Sequence, residues 1–339
     1  MHIAEFIHLI RTKYLSTDRL AQPFDFAHKV QYLTLDVISH VGFGEPFGDL
    51  QADADVDGYI EVGETGLAVI TITAALGLTW LVQLPMVARL LGPSERDVSG
   101  FGRMMAKGRA AVEARLRRGD MDGRSDMLAS FARHGLTPDE LVTESALQII
   151  AGADTTASSL RGIFLYLLTH PRVYAKLQAE VDRYVSHSAP GSSIIIPDSD
   201  ARKLPYLQAV IKEGMRVHPP VTDPLPKRVP DGGDTVVVDG EAVFLPGGTE
   251  VSAALWPLQR SRAVFGPDAH LFRPERWIVV DDDDEPDNLA RLADMNRVHE
   301  LHFGYGRFQC LGRPIALMEI SKTVFEVCTY LTYLYSGVY

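Results

Sequence analysis

The stretch Phe303-Gly-Tyr-Gly-Arg-Phe-Gln-Cys-Leu-Gly-Arg-Pro314 sets one thiol, Cys310, among three glycines, directly ahead of the apolar run Ile315-Ala-Leu-Met318. Gly304, Gly306 and Gly312 allow turns that a side chain would obstruct. Pro314 suits the first turn of a helix, where its missing N–H leaves nothing unsatisfied. The spacing therefore predicts a thiol on a glycine loop at a helix N-terminus, where free N–H groups and the helix dipole favour a thiolate. The plainer reading is a small buried hydrophobe, as a lone Cys ordinarily is.

A zinc site would need further soft ligands. The only other Cys is Cys328, and there is no Cys-x-x-Cys. A metal held by Cys310 would therefore bring most of its own ligands, as haem does with an axial Cys thiolate.

Composition narrows the classes. The 339 residues suffice for one large domain or two ordinary ones, and 46% hydrophobic with 23% charged residues is a globular balance. A net charge of −11 and the lack of a basic stripe argue against nucleic acid as a partner. Two cysteines cannot form a disulfide framework, which points to a reducing compartment. The N-terminus lacks a signal-peptide pattern and predicts an amphipathic helix with Ile3, Phe6, Ile7 and Ile10 on one face. The acidic run 281–287 predicts a solvated loop. Residues 65–88 carry no charge over 24 positions, long enough to span a bilayer. Gly66, Gly77, four Thr, Gln83 and Pro85 weaken that reading.

Thr137-Pro-Asp-Glu140 predicts a capped helix start, and the helical pattern runs to His170, where Pro171 ends it. That is about 50 Å of helix at ~1.5 Å per residue. Leu160, Ile163, Phe164, Leu167 and Leu168 form its apolar stripe. Gly152, Asp154, Thr155 and Thr156 interrupt it. A mid-helix Gly costs roughly 1 kcal/mol, and polar residues there need a partner or a task. Either Gly152 is a packing glycine and the Thr hydroxyls bond back to the helix, or the motif is functional. Glu213 and Arg216 share a helix face at i,i+3 in a helix ending before Pro219-Pro220. Residues 228–255 predict strands, with a hairpin at Asp239-Gly240.

The loop around Cys310 resembles the haem-binding loop of the cytochromes P-450, Phe-x-x-Gly-x-Arg-x-Cys-x-Gly, with Phe303, Gly306, Cys310 and Gly312 matching. Three further stretches resemble family motifs in the family's order. Ala151-Gly-Ala-Asp-Thr-Thr156 is similar to the oxygen-activation motif. Glu213-Gly-Met-Arg216 matches Glu-x-x-Arg and is followed by His218-Pro-Pro220. Phe272-Arg-Pro-Glu-Arg-Trp277 resembles the Pro-x-Arg motif. The resemblance covers roughly residues 1–325.

It implies a mainly α fold with a small β region, a single domain over 1–339, and haem held between the central helix and the Cys310 loop. It implies Cys310 as the metal ligand, with Phe303, Gly304, Gly306, Gly312, Ala151, Gly152 and Arg228 at the cofactor. Gly152 would leave room for a ligand, while Asp154 and Thr155 handle protons for bound oxygen. Glu213, Arg216 and Arg276 would form a buried structural cluster. The implied function is a haem-thiolate monooxygenase that inserts one oxygen atom of O2 into an apolar substrate, in secondary metabolism or detoxification, with electrons from an NADPH-dependent flavoprotein reductase. Residues 221–225 and the region of Ala151 would line the pocket. His218 and His302 are expected as hydrogen-bonding residues. Residues 65–88 would roof the pocket and touch a membrane surface. Relatives are ordinarily anchored in the endoplasmic reticulum and face the cytoplasm.

There are departures. Phe308 stands where the family usually has an Arg or His that holds a haem propionate. The family's Trp-x-x-x-Arg motif is not found, and the chain is expected to lack the fold's N-terminal part and last hairpin. The Gly-Tyr-Gly-Arg-Phe-Gln-Cys wording suggests a fungal member. Two other expectations stand beside the enzyme: a non-catalytic remnant with little haem binding, and a helical protein spanning a membrane through 65–88.

Overall fold

The computed structural model describes the chain apart from residues 18, 83, 120–123, 189–194, 223–225, 280–284 and 336–339. Backbone contacts gather it into two compact units, one built from Met1–Ala157 and the other from Ser158–Thr332.

In the first unit, α1 (His2–Lys13) buries Ile3, Phe6, Ile7 and Ile10, the face its periodicity predicts. Helix α2 (Phe26–Phe43) opens with the Asp25 carboxylate accepting the His28 N–H and closes at Gly44, whose φ of 78° would strain a side chain. The short α3 (Asp49–Ala52) is pinned to α2 through the buried Asp36. Its carboxylate accepts the N–H groups of Gly48, Asp49 and Leu50 at 2.7, 3.2 and 3.0 Å.

The uncharged stretch 65–88 is broken among α4 (Tyr59–Ala75), α5 (Thr79–Val82) and α6 (Pro85–Leu91). Gly77 at φ 68° ends the first, and Pro85 opens the last. No helix among the described residues is long and apolar enough to cross a membrane, so the expectation of a spanning helix is corrected. Val69, Ile72, Leu76 and Trp80 are instead exposed on this segment.

Helices α7 (Gly100–Arg118) and α8 (Met127–Arg133) join the start of α9 (Pro138–Thr169) around Val112, Leu128, Leu141 and Val142. The predicted N-terminus of α9 holds: Thr137 donates its N–H and hydroxyl to the Glu140 carboxylate at 2.8 and 2.7 Å. Leu160, Ile163, Phe164 and Leu167 are buried, but Leu168 is 69% exposed. Each i,i+4 step advances about 40° around the helix, and Leu168 has rotated off the stripe.

In the second unit, α10 (Pro171–His187) begins on its proline, followed by α11 (Asp198–Ala201) and α12 (Pro205–Val217). Glycines let α12 approach the second half of α9. A Cβ on Gly214 would stand 2.4 Å from Ile163 Cγ1, and one on Gly162 would stand 2.6 Å from the His218 ring. Strand β1 (Lys227–Arg228) pairs antiparallel with β4 (Glu250–Val251), and β2 (Asp234–Val238) with β3 (Glu241–Leu245). Asp239 and Gly240 turn the β2–β3 hairpin at φ 52° and 86°, as Asp-Gly predicts.

The predicted strand 250–255 is shorter than expected, because Leu255 opens the helical turn α13 (Leu255–Leu258). Pro257, with its locked φ, suits a first helical turn and cannot donate to a strand ladder. After α14 (Arg262–Phe265) comes a 3-10 turn, Pro274–Trp277, then α15 (Glu285–Glu300) and α16 (Arg313–Tyr335). Of the predicted acidic loop 281–287, residues 281–284 lie outside the described residues. Residues 285–287 are helical and begin α15, where a loop was expected. Ala209, Phe265, Ala269, Trp277 and Met295 form one hydrophobic cluster in this unit. The architecture is mainly α with a small β region.

Candidate active site

The Cys310 loop is built by turns. A 3-10 turn at Leu301–Phe303 leads to Gly304 at φ 70°, and a second, Gly306–Phe308, starts from Gly306 at φ 59°. A Cβ on Gly304 would also stand 2.6 Å from the Phe308 carbonyl oxygen, so the loop closes only with glycine there. The Cys310 N–H donates to the Phe303 carbonyl at 2.6 Å. This fixes the thiol one residue pair ahead of α16, whose first turn contains Pro314.

Cys310 is exposed, not buried in a core; Cys328 is buried, and burial pushes its thiol up to about 12. Gly312 differs from the expected tight-turn glycine. Its φ is not positive, and a Cβ there would stand 3.7 Å from Cys310 Sγ, an ordinary van der Waals contact. An exposed thiol on a glycine-constrained loop, beside the exposed side chains of Phe308 and Leu311, fits a flat apolar group that brings its own ligands, as haem does. Among the described residues no group of three or more His, Cys, Asp or Glu could hold a metal ion.

Phe303 is half-buried, with the Arg313 guanidinium 5.5 Å from its ring centre. Phe308 is 52% exposed, with Lys227 Nζ and Arg307 Cζ each 4.7 Å from its ring centre. Arg228 lies on β1 beside Gly248. Of the expected pocket residues 221–225, positions 223–225 lie outside the described residues.

On α9, Ala151 is exposed and the Thr155 hydroxyl donates back to its carbonyl at 2.8 Å. Gly152 turns the side that would carry a Cβ towards Ile38 of α2, whose Cγ1 would be 2.7 Å away. Its missing Cβ thus gives α2 room to pack against α9. Asp154 is half-buried and holds tertiary hydrogen bonds. Gln31 Nε2 donates to its Oδ1, and the Tyr59 hydroxyl donates to its Oδ2 at 3.1 Å.

Glu213, Arg216 and Arg276 come together in full burial. Arg216 donates to both Glu213 oxygens, Nε to Oε2 and Nη2 to Oε1, each at 2.8 Å, and Arg276 Nε donates to Oε1 at 2.9 Å. All three side chains are 0% exposed. Arg216 also donates to the carbonyls of Gln259, Ala269 and Leu271 at 2.6–2.8 Å. Arg276 reaches the Phe265 carbonyl and Asp268.

Sequence reasoning missed three members. Trp277 Nε1 donates to Glu213 Oε2 at 2.8 Å, the Arg273 N–H donates to Oε1 at 2.8 Å, and Asp268 supplies a second anion. Burial raises the Asp268 carboxyl, but the charges and hydrogen bonds of Arg276 and Arg273 outweigh that and hold it below the usual range. Trp277 directly follows Arg276 in sequence, so the motif itself carried that signal.

The cluster ties α12 to the residues before α15. Near its far end His302 Nδ1 lies 2.6 Å from the His299 carbonyl. Burial pushes His302 down to about 4 and His299 well below its ordinary value. His218 is also lowered, first by burial and then by the charge of Arg260.

The comparisons with known proteins agree with this arrangement. The sequence profile of the family described as Cytochrome P-450 matches residues 4–328. The chain is 40% identical to the cytochrome P-450 monooxygenase ABA1 of Pyricularia oryzae over 95% of its own length and 61% of that protein's. It is 37% identical to the aba1 monooxygenase of Botryotinia fuckeliana, again covering 61% of the relative. Identity to a pisatin demethylase of Fusarium vanettenii is 30%, covering 56% of it. The chain thus spans about three-fifths of the length of the curated relatives it matches. A crystal structure of a cytochrome P-450 superposes with a TM-score of 0.69 at 22% identity, covering 96% of this chain, which establishes the fold. Because the family profile runs through nearly the whole chain and fungal relatives follow it along 90–95% of its length, this chain belongs to the cytochrome P-450 family.

Proposed function

We propose that the chain, as a single domain, is the haem-binding part of a monooxygenase that oxidises a small apolar organic molecule. The observation that carries this reading is the exposed Cys310 thiol on a glycine-constrained loop ahead of α16. Cys310 would ligate the iron as a thiolate. Gly304, Gly306 and Gly312 would let the loop approach the haem face, Phe303 would pack at its edge, and Arg228 would hold a propionate. Ala151 and Gly152 would border the cofactor. Haem held by the Cys310 thiolate would supply the reduction and cleavage of dioxygen. Thr155 and Asp154 would hold and move the protons which that chemistry consumes. The cluster of Glu213, Arg216 and Arg276 would keep the backbone ahead of the Cys310 loop in one conformation.

The electron donor would be an NADPH-dependent flavoprotein reductase. The fungal relatives named as monooxygenases and as pisatin demethylase support a place in secondary metabolism or in detoxification. Residues 65–88, with Ile72, Leu76, Trp80 and Met86 exposed, would rest on a membrane surface on the cytoplasmic side.

The test is the reduced, carbon-monoxide-bound spectrum of the chain expressed with a haem supply. A thiolate-type Soret band that is lost in Cys310→Ala is expected. Failure to incorporate haem would overturn the enzyme reading in favour of a non-catalytic chain.

A further inference from the structure

Asp154 sits in the middle of α9, and two other helices donate hydrogen bonds to its carboxylate. Gln31 of α2 donates to Oδ1, and Tyr59, the first residue of α4, donates its hydroxyl to Oδ2 at 3.1 Å. These partners lie 123 and 95 residues away in sequence. Gln31 is 3% exposed and Tyr59 2%. Burial, then the charge and hydrogen bond of Asp154, drive the Tyr59 hydroxyl far above its ordinary pKa, so it acts as a donor throughout the working pH range.

Tyr59 is itself held. Its N–H donates to Asp55 Oδ1 at 2.9 Å, and its ring meets Phe101 edge-on at 5.4 Å. The neighbouring Thr155 is oriented differently, by the Ala151 carbonyl of its own helix.

We infer that Tyr59 and Gln31 are positioning residues for Asp154, holding its carboxylate in one rotamer and setting how readily it takes up and passes a proton. The inference rests on the proposed proton role of Asp154. The physical reason is that a carboxylate accepting charge-assisted hydrogen bonds at both oxygens is a weaker base and cannot rotate without breaking one of them. Removing the Tyr59 hydroxyl while keeping its ring loosens the carboxylate and leaves the packing on Phe101 intact.

The experiment uses the full chain with haem, reductase, NADPH and dioxygen as sole acceptor, measuring NADPH + H+ + O2 → NADP+ + H2O2 in light and heavy water. Wild type, Tyr59→Phe, Asp154→Asn and the double variant are compared, with Gln31→Met as a second probe. Tyr59→Phe is expected to change the peroxide rate by about tenfold, the worth of one hydrogen bond to a charged group, and to alter the solvent isotope effect. In the Asp154→Asn background it should change neither.

Equal effects of Tyr59→Phe in both backgrounds, or none in either, would overturn the inference. If Asp154→Asn leaves the isotope effect of the haem-loaded chain unchanged, the proton role of Asp154 fails, and the inference fails with it. If the chain takes up no haem, the enzyme reading fails. Urea unfolding of the same four variants then still decides whether Tyr59 and Asp154 are coupled: non-additive losses support the pairing, and additive losses overturn it.

Discussion

Replacing Glu213 with Gln should be among the most damaging single substitutions in the second unit. The carboxylate accepts five hydrogen bonds: two from Arg216, one from Arg276, one from Trp277 and one from the Arg273 backbone. A glutamine has one acceptor oxygen, and its amide would point donors at guanidinium groups that also only donate. Two buried cations would keep a single anion, Asp268, which touches Arg276 at 3.2 Å and is itself 24% exposed. Stranding a buried charge in this way costs about 3–5 kcal/mol, or a fall in Tm on the order of 10 °C.

An exposed pair such as Arg117–Glu113, 3.4 Å apart with side chains 70% and 53% exposed, should cost about 0–0.5 kcal/mol on the same substitution. Urea unfolding followed by tryptophan fluorescence reads both, since Trp277 lies inside the cluster. Salt should leave the Glu213 effect nearly unchanged, because buried pairs are poorly screened. A loss below about 1 kcal/mol for Glu213→Gln would refute the view that this cluster bears on stability.

Glu326 offers a pH test. Burial raises its carboxyl from an ordinary 4.5 to about 7, although it accepts the Ile196 N–H at 2.6 Å. The folded state keeps a proton that the unfolded chain releases, so stability falls as pH rises from about 4.5 to about 7 and levels off above. Glu326→Gln should remove that slope and gain up to about 3 kcal/mol above neutrality; parallel urea midpoints across this pH range would contradict it. Gly152→Ala should cost about 1–3 kcal/mol, because its Cβ would meet Ile38 at 2.7 Å. Gly63→Ala, inside α4 with nothing within 4 Å, should stabilise by about 0.5–1 kcal/mol, and equal effects of the two would sink the packing reading. The bonds from Thr137 hold the Glu140 carboxyl below its ordinary value, so its cap is complete at neutral pH and weakens as pH falls through that lowered pKa. Amide-exchange protection at the start of α9, taken relative to unstructured-peptide rates at the same pH, should fall on acidification in wild type and be low at all pH values in Glu140→Ala.

Much of the fold is legible because it rests on local rules. The face of α1, the capping box of α9, the Asp239-Gly240 hairpin and the proline that ends α9 depend on residues within a few positions of one another. The errors come where spacing stops deciding. Leu168 left the stripe through the drift of a 3.6-residue period, Leu255 turned helical because of Pro257, and residues 65–88 divided at Gly77 and Pro85. The candidate site shows the same split. Cys310 and its loop glycines are local, and so is the back-bonded Thr155. Trp277 at Glu213, and Gln31 and Tyr59 at Asp154, are contacts across tens of residues that no period encodes.

By itself the sequence determined the thiol, the loop that offers it and the helix that follows, because backbone turns and helix starts are set by the residues that form them. Its spacing put Glu213 and Arg216 on one face, and the family resemblance implied a buried cluster with Arg276. Only the tertiary structure decided that Asp268 and Trp277 join that cluster, and that the Cβ side of Gly152 faces Ile38. The reason is physical: burial and charge pairing depend on which surfaces meet, and those surfaces are joined by packing and not by the chain.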